Sequence, residues 1–240
     1  MTHFPFDKSQ LLGLGEMVSV LYRDDAVLAV DKPAGLLVHQ GWGRDALTLV
    51  DIVRKILGCG TVHPLHRLDR QTSGVVLFAL NPAAAATLGK AFDNRTVRKI
   101  YWALVRGEPP LEGVIDSPVP KTEGGPRVPA LTTYRRLMTL VTEPRRVSWI
   151  EASPRTGRLH QVRRHLKHIS CPVIGDANYG KGPLNRAFRE RYGLCRMALH
   201  AAKLTFPHPE TGRPCTISAP LPPDLEVPLK NMGLAHRPSP

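Results

Sequence analysis

Six consecutive residues, Val75-Val76-Leu77-Phe78-Ala79-Leu80, carry no polar side chain and are bracketed by Gly74 and by Asn81-Pro82. A run this short, β-branched and aromatic, and closed at both ends by turn residues reads as a buried strand. The polar stretch before it, His66-Arg67-Leu68-Asp69-Arg70-Gln71-Thr72-Ser73-Gly74, is therefore a loop that ends on a rigid support. Its one carboxylate, Asp69, sits between Arg67 and Arg70, whose charges favour an ionised side chain, which suits a nucleophile better than a proton donor. Spacing alone fits equally well a solvated ion-pair loop capped by Thr72 and Ser73.

Charge narrows the partner. The 240 residues carry a formal net charge of +13, with 42% apolar residues, enough for a sizeable core in one large domain or two small ones. Unbalanced positive charge draws polyanions, so nucleic acid is the leading partner. There is no run of about 18 apolar residues and no signal-peptide core, so a soluble cytoplasmic protein is expected, without a membrane partner. Cys59, Cys171, Cys195 and Cys215 are scattered and read as reduced thiols. Cys59, His63 and His66 lack the second close pair of a zinc site, and no nucleotide-binding glycine loop is present, so neither metal nor cofactor is expected. A hydrolase using Asp69 with His66 would lack a Gly-x-Ser-x-Gly turn or paired-carboxylate spacing.

Residues 1–16 show no period and read as a loose extension, with Met17 as an alternative start. Residues 18–22 and 26–30 read as strands joined at Arg23-Asp24-Asp25, and Lys32-Pro33-Ala34-Gly35 turns the chain into Leu36-Leu37-Val38. Leu49, Ile52, Val53 and Ile56 share a helical face, with Asp45 placed to cap its start and Gly58 to end it. Asn81-Pro82 and the alanine-rich run to Phe92 predict a second helix. Residues 99–106 alternate as a strand, on which Tyr101 reads as packing. The proline- and glycine-rich residues 109–129 predict a mobile surface excursion with one short strand at 114–119, followed by strands at 130–141 and 147–152. From His160 onward Val162, Leu166 and Ile169 form one helical stripe. That leaves His160, Arg164, Lys167 and His168 on the other face and Arg163 at the edge. The basic face is either solvated or phosphate-binding. Residues 185–192 read as a short basic helix, and 203–206 with 215–218 as a hairpin. Prolines multiply after Pro220, so 220–240 reads as a loose tail. The whole is one mixed α+β domain over 17–219.

His66-Arg67-Leu68-Asp69 with Thr72-Ser73-Gly74 resembles the signature loop of the RluA-type pseudouridine synthases. Two further stretches match that family in order: Lys99-Ile100-Tyr101-Trp102-Ala103-Leu104-Val105-Arg106-Gly107 and Thr156-Gly157-Arg158-Leu159-His160-Gln161-Val162-Arg163-Arg164-His165. Pro172-Val173-Ile174-Gly175-Asp176 with Tyr179-Gly180 is another family-like loop. Leu36-Leu37-Val38-His39 with Trp42 and Arg44-Asp45, Arg163-Arg164-His165-Leu166, and Arg196-Met197-Ala198-Leu199-His200-Ala201 are most similar to bacterial members that modify tRNA. The similarity runs from about Val18 to about Ala219.

The resemblance implies an α+β pseudouridine synthase fold: a single mixed, mainly antiparallel sheet with flanking helices and loops around a basic catalytic cleft. It implies an isomerase that breaks the bond from ribose to N1 of uracil, turns the base and rejoins ribose to C5, using no cofactor or metal. Asp69 is then the nucleophile, at C6 of the base or C1′ of the sugar, Tyr101 stacks on the uracil, and Arg163 pairs with Asp69. Arg67 fills the stack that the base leaves. Arg67, Arg70, His160, Arg164 and Lys167 are expected to bind RNA. The expected substrate is tRNA, at the T-stem uridine numbered 65, with ribosomal RNA as the alternative within the family. A non-catalytic basic RNA-binding protein, with Asp69 orienting Arg67 and Arg70, is the alternative outside it. A monomer is expected, recognising folded RNA without a separate amino-terminal RNA-binding domain.

Overall fold

In the computed structural model, which describes residues 18–40, 47–58 and 60–234, the apolar run becomes a strand buried at every position. The chain opens with β1 (Ser19–Arg23), β2 (Val27–Lys32), α1 (Leu49–Leu57), β3 (His63–Pro64) and β4 (Ser73–Ala79). There follow α2 (Pro82–Asp93), β5 (Arg98–Arg106), β6 (Glu112–Asp116), β7 (Val119–Pro120), β8 (Arg127–Val128), β9 (Leu131–Leu140) and β10 (Val147–Pro154). It closes with α3 (Gln161–His168), α4 (Gly182–Tyr192), β11 (Leu199–Pro207), β12 (Pro214–Ser218) and α5 (Pro223–Asn231). The main sheet runs β1-β2-β4-β11-β5-β10-β9-β6, with β3 added to β4 and β12 to β11. Among the described residues only β4 and β11 pair in parallel, with Ser73 and Gly74 beside His200 and Ala201. The expected mixed, mainly antiparallel α+β sheet is the one observed.

The continuous apolar character of β4 follows from burial on both faces. Val75, Leu77 and Ala79 pack with Val27, Ala29 and the α2 residues Ala84 and Leu88. Val76 and Phe78 point the other way, onto Leu28, Val30 and the α1 residues Leu49, Ile52 and Val53. Helices thus cover both sides of β2 and β4. A third cluster joins Trp102, Leu104, Trp149 and Ile150 to Leu166 of α3, Phe188 of α4, and Leu225 and Leu229 of α5. Tyr101 packs partly against this cluster and partly against the α1 cluster, so it lies on the seam between them.

Local signals explain the helix ends. Gly58 closes α1 in a left-handed conformation, as the sequence predicts, and Asn81 caps α2 by accepting the Ala84 N–H at 2.8 Å. The start of α1 differs from expectation. Thr48 and Asp51 cap it reciprocally, the Thr48 N–H donating to Asp51 at 3.0 Å and the Asp51 N–H to Thr48 at 3.3 Å. The expected cap Asp45 lies outside the described residues, as do residues 1–16, Met17, Trp42, Arg44 and Cys59.

Two expectations need correcting. Residues 109–129 hold three strands, and β6 forms the edge of the main sheet beside β9. The strand expected at 114–119 overlaps β6 and touches β7, but apolar periodicity did not reveal a sheet edge because β6 buries only Ile115, and Gly113 is needed where the Tyr134 ring lies against the backbone. Residues 220–234 are no loose tail. Pro223 begins α5, where its missing N–H is no loss, and Leu221, Leu225, Leu229, Met232 and Leu234 enter the core. The packed unit therefore runs to Leu234, well past residue 219.

Asp24 fixes the first hairpin and ties it to the far end of β11. Its carboxylate accepts the Tyr22 hydroxyl at 2.7 Å, the Ala26 and Val27 amides at 2.8 Å each, and His208 Nε2 at 2.8 Å. Burial opposes the charge, but the four donors outweigh it and lower the Asp24 pKa from 3.8 to about 2. A folded pKa below the unfolded one stabilises the protein above the unfolded value, and that stability is lost as pH falls through the folded value. Asp24→Ala should therefore cost about 1–3 kcal/mol at neutral pH. In urea melts, the gap to wild type should narrow as pH falls from about 3.8 toward about 2. Coincident melts at neutral pH would show that the turn is held by other groups.

Candidate active site

The Asp69 loop is pinned from three sides by backbone-directed bonds. Thr72 N–H closes a turn onto the Asp69 carbonyl at 3.0 Å, and Gly35 N–H donates to the Arg70 carbonyl at 2.8 Å. Arg70 Nε returns a bond to the Gly35 carbonyl at 3.0 Å. Beneath them Lys32, fully buried, sends Nζ to the carbonyls of Pro33 at 2.8 Å, Leu36 at 2.7 Å and Arg70 at 3.2 Å. Burial, helped by nearby Arg196 and opposed by Asp69 and Asp31, pushes the Lys32 ammonium down to about 7. At the far end Arg196 Nη2 donates to the Gln71 carbonyl at 3.2 Å and to Ser73 Oγ at 2.9 Å, while Nη1 reaches Asp224 at the start of α5. Gly74 then enters β4 at a φ of +113°, where a Cβ would collide with the Ala201 carbonyl. Only glycine allows that approach.

Arg163 crosses from α3 to meet the loop. Its Nη1 donates to Asp69 Oδ2 at 2.9 Å. The rest of the guanidinium is gripped by Asp176, with Nε to Oδ2 at 2.7 Å and Nη2 to Oδ1 at 2.9 Å. Asp176 is completely buried and also accepts the N–H groups of Asn178 at 2.9 Å and Tyr179 at 3.1 Å. Burial opposes both charges. The bonds to Arg163 and the two amides nevertheless carry the Asp176 pKa downward, and the bonds to Asp176 and Asp69 carry that of Arg163 upward. A bidentate fork of this kind fixes orientation as well as charge. Gln161, two residues earlier, anchors the helix start by accepting the Thr156 hydroxyl and the Arg158 N–H and donating to the Leu131 carbonyl.

The second Asp69 oxygen, Oδ1, faces His160 Nε2 at 3.8 Å, beyond hydrogen-bonding distance. His160 is the N-cap of α3 in a left-handed backbone conformation, with φ 52° and ψ 30°, and it makes no side-chain cap. A strain of about 1–3 kcal/mol is held there by the surrounding contacts. Its Nδ1 lies 3.0 Å from the Tyr179 hydroxyl, and the guanidinium groups of Arg163 and Arg164 lie 4.9 and 5.2 Å from that tyrosine's ring centre. Tyr101 stands on β5 close to Asp69. Burial first, and then the Asp69 charge, raise its phenol pKa, so the ring is neutral throughout the working range.

These groups line a cleft of about 1000 Å³. Among the described residues its walls carry seven lysines and arginines against three carboxylates. Such a wall favours a polyanion, and a carboxylate fixed on Arg163 beside a neutral aromatic ring can attack a flat electrophile laid on that ring.

Asp69, Tyr101, Arg163, Arg67 and His160, all singled out in the sequence, meet in this cleft. Arg70, Arg164 and Lys167 do not line it. Arg70 serves the loop's backbone, while Arg164 and Lys167 gather around Tyr179 on the adjoining surface. Sequence reasoning assigned no role to Asp176, Tyr179, Lys32 or Arg196. The signal for Asp176 was a carboxylate directly after the apolar stretch Pro172-Val173-Ile174-Gly175, a position that burial tolerates only with a partner.

Comparison with known proteins agrees with the geometry. Residues 26–168 match the family described as RNA pseudouridylate synthase. The chain is 39% identical over 220 residues to tRNA pseudouridine synthase C of Haemophilus ducreyi, covering 84% of this chain and 90% of that protein. It is 40% identical over 223 residues to the Salmonella typhimurium protein of the same name, with 85% of each covered. Among solved structures, human RNA pseudouridylate synthase domain containing 4 superposes with a TM-score of 0.73 at 25% identity, over 93% of this chain and 95% of that one. Human RNA pseudouridylate synthase domain containing 1 gives 0.71 at 30% identity, over 87% and 86%.

The fork on Arg163 leads to a stability prediction. Asp176→Ala leaves a buried guanidinium with one carboxylate removed and should destabilise the fold by about 3–5 kcal/mol. Urea melts at neutral pH measure it. A wild-type midpoint would mean that Arg163 does not depend on Asp176.

Proposed function

The chain belongs to the RNA pseudouridylate synthase family and is an isomerase acting on RNA, and from that premise we propose that its substrate is tRNA, at uridine 65, with Asp69 as the nucleophile. The observation that carries the reading is the Arg163 bond to Asp69 Oδ2, which leaves Oδ1 toward a basic cleft beside the Tyr101 ring. The names of the bacterial relatives support tRNA.

A T-stem uridine is paired and stacked, so the enzyme must first hold the folded helix through its phosphates and then extrude the base. Unstacking costs a few kcal/mol, which contacts from the basic cleft offset. Arg67, exposed at the cleft, enters the vacated stack. The uracil lies on Tyr101, whose protonated phenol adds no negative charge beside Asp69. Asp69 attacks C6 or C1′, the bond from N1 to C1′ breaks, the base turns, C1′ joins C5, and the bond to Asp69 breaks with its electron pair returning to the carboxylate. C5 then loses a proton and N1 gains one, so the product is an isomer and no electrons are exchanged. Arg163 keeps Oδ2 in place throughout. Arg164 and Lys167, on the surface around Tyr179, contact backbone phosphates. The reading includes a monomer working in the cytoplasm without metal or organic cofactor. Among the described residues no helix is long and apolar enough to cross a membrane.

Two results test this. Asp69→Asn should abolish pseudouridine formation while RNA affinity stays within a few fold, because the change keeps size and removes the nucleophile; substantial turnover by the purified variant would refute the assignment. Wild-type protein given total tRNA and, separately, ribosomal RNA fragments should modify the tRNA at the T-stem. Modified ribosomal RNA with untouched tRNA would move the substrate and leave the Asp69 chemistry standing.

A further inference from the structure

The isomerisation leaves one step without an owner. Once ribose is joined to C5, that carbon still carries its hydrogen, and the proton must be removed to restore the C5–C6 double bond. We propose that His160 is the base that takes this proton, an inference that rests on the reading of Asp69 as nucleophile.

The position follows from Asp69 whichever atom it attacks. C6 is bonded to C5 in the substrate, and C1′ is bonded to C5 in the product, so the atom next to the Asp69 oxygen is always a bonded neighbour of C5. His160 Nε2 lies 3.8 Å from Asp69 Oδ1 and lines the same cleft. The two side chains are not bonded to each other and face the same cleft, so a uracil held at Asp69 lies within reach of His160.

The ring is aimed by its backbone and by Tyr179. The left-handed conformation at the start of α3 turns the side chain away from a capping role, and the Tyr179 hydroxyl holds Nδ1 at 3.0 Å with the two rings edge to face. Strained non-glycine residues of this kind cluster at functional sites. The proposed role uses the tautomer in which Nδ1–H donates to the Tyr179 oxygen, so that Nε2 presents a lone pair. Burial, reinforced by Arg163 and Arg164 and opposed by Asp69 and Asp176, lowers the imidazole pKa, which keeps the ring neutral and able to accept a proton at pH 7.

Other basic groups in the cleft are placed less well. Tyr101 holds its proton, because burial and the Asp69 charge raise its pKa. His66 Nε2 already accepts the Leu77 N–H at 3.2 Å. Lys99 directs its ammonium over the Phe92 ring, 5.5 Å from the ring centre. In the step itself the C5–H bond breaks and its electron pair forms the C5–C6 double bond, expelling the Asp69 carboxylate where that is bonded to C6, or moving the C6–N1 double-bond pair onto N1 where Asp69 attacked C1′. The proton passes to Nε2, the imidazolium releases it to solvent, and N1 takes one up, so atoms and charge balance.

The test uses His160→Asn, because asparagine adopts the left-handed conformation readily and preserves the start of α3. An unmodified tRNA transcript is prepared with uridine and, in parallel, with 5-deuterouridine. The variant should lose on the order of 10²-fold in kcat, in the range of a missing general base, with KM little changed. It should also show a primary deuterium isotope effect larger than that of wild type, because proton removal now limits the rate. Added imidazole should restore part of the rate to His160→Gly. A lowered kcat with an unchanged isotope effect would reduce His160 to a positioning residue and overturn the proposal, and so would a wild-type rate. Asp69→Asn run beside it separates the two readings, since turnover there strikes at the nucleophile and not at the isotope effect of His160→Asn.

Discussion

Arg163 is held at both ends by carboxylates, and the site is organised around that fact. Asp176 takes two of its nitrogens and Asp69 a third, so the guanidinium plane sets where the Asp69 carboxylate lies. Lysine, a point charge on a flexible stem, would satisfy the charges without fixing the geometry. The arrangement spans the molecule: Asp69 comes from the loop before β4, Arg163 from α3 and Asp176 from the loop after it. Each must arrive correctly for the pair to form, and the buried β4–β11 contact at Gly74 and the Lys32 bonds under the loop ensure that the first one does.

Such a centre opposes stability locally and relies on the core for support. Two buried charges, a buried lysine and a left-handed histidine all cost free energy where they stand. They are offset by a sheet whose central strands are covered on both faces and by a carboxy-terminal helix that adds Leu225 and Leu229 to the core. That helix also supplies Asp224 to Arg196, which bonds the Gln71 carbonyl and Ser73 behind the Asp69 loop. The end of the chain therefore bears on the site although it lies outside the cleft.

Much of this was legible in the sequence, and the failures have physical causes. The strand after the Asp69 loop, the alanine-rich helix and the amphipathic α3 stripe were readable because local pattern and tertiary burial agree there. Arg163, at the edge of that stripe, reaches inward as its position suggests. The strand expected at 114–119 was not recognised as the sheet edge β6 because it buries one side chain, and α5 was missed because prolines read as breakers even where a helix start accepts them. Asp176, Lys32 and Arg196 were missed for another reason. Each is a charged residue whose meaning lies in specific partners, such as Arg163 for Asp176, the Arg70 carbonyl 38 residues away for Lys32 and Ser73 123 residues away for Arg196, and no local period records such a contact. Helical periodicity puts His160 on the outer face of α3 because it assumes a right-handed start, which its backbone does not adopt.

Asp176 reaches Asp69 by way of the Arg163 guanidinium, so its effect on the chemistry should pass through that side chain. A double-mutant cycle in single-turnover rate, with Arg163→Lys, Asp176→Asn and the double variant compared with wild type, measures that coupling directly. Strong non-additivity is expected: once Arg163 is replaced, removing the Asp176 charge should change the rate little further. Effects of the two substitutions that simply add would contradict it, because they would mean that Asp176 and Arg163 support Asp69 independently.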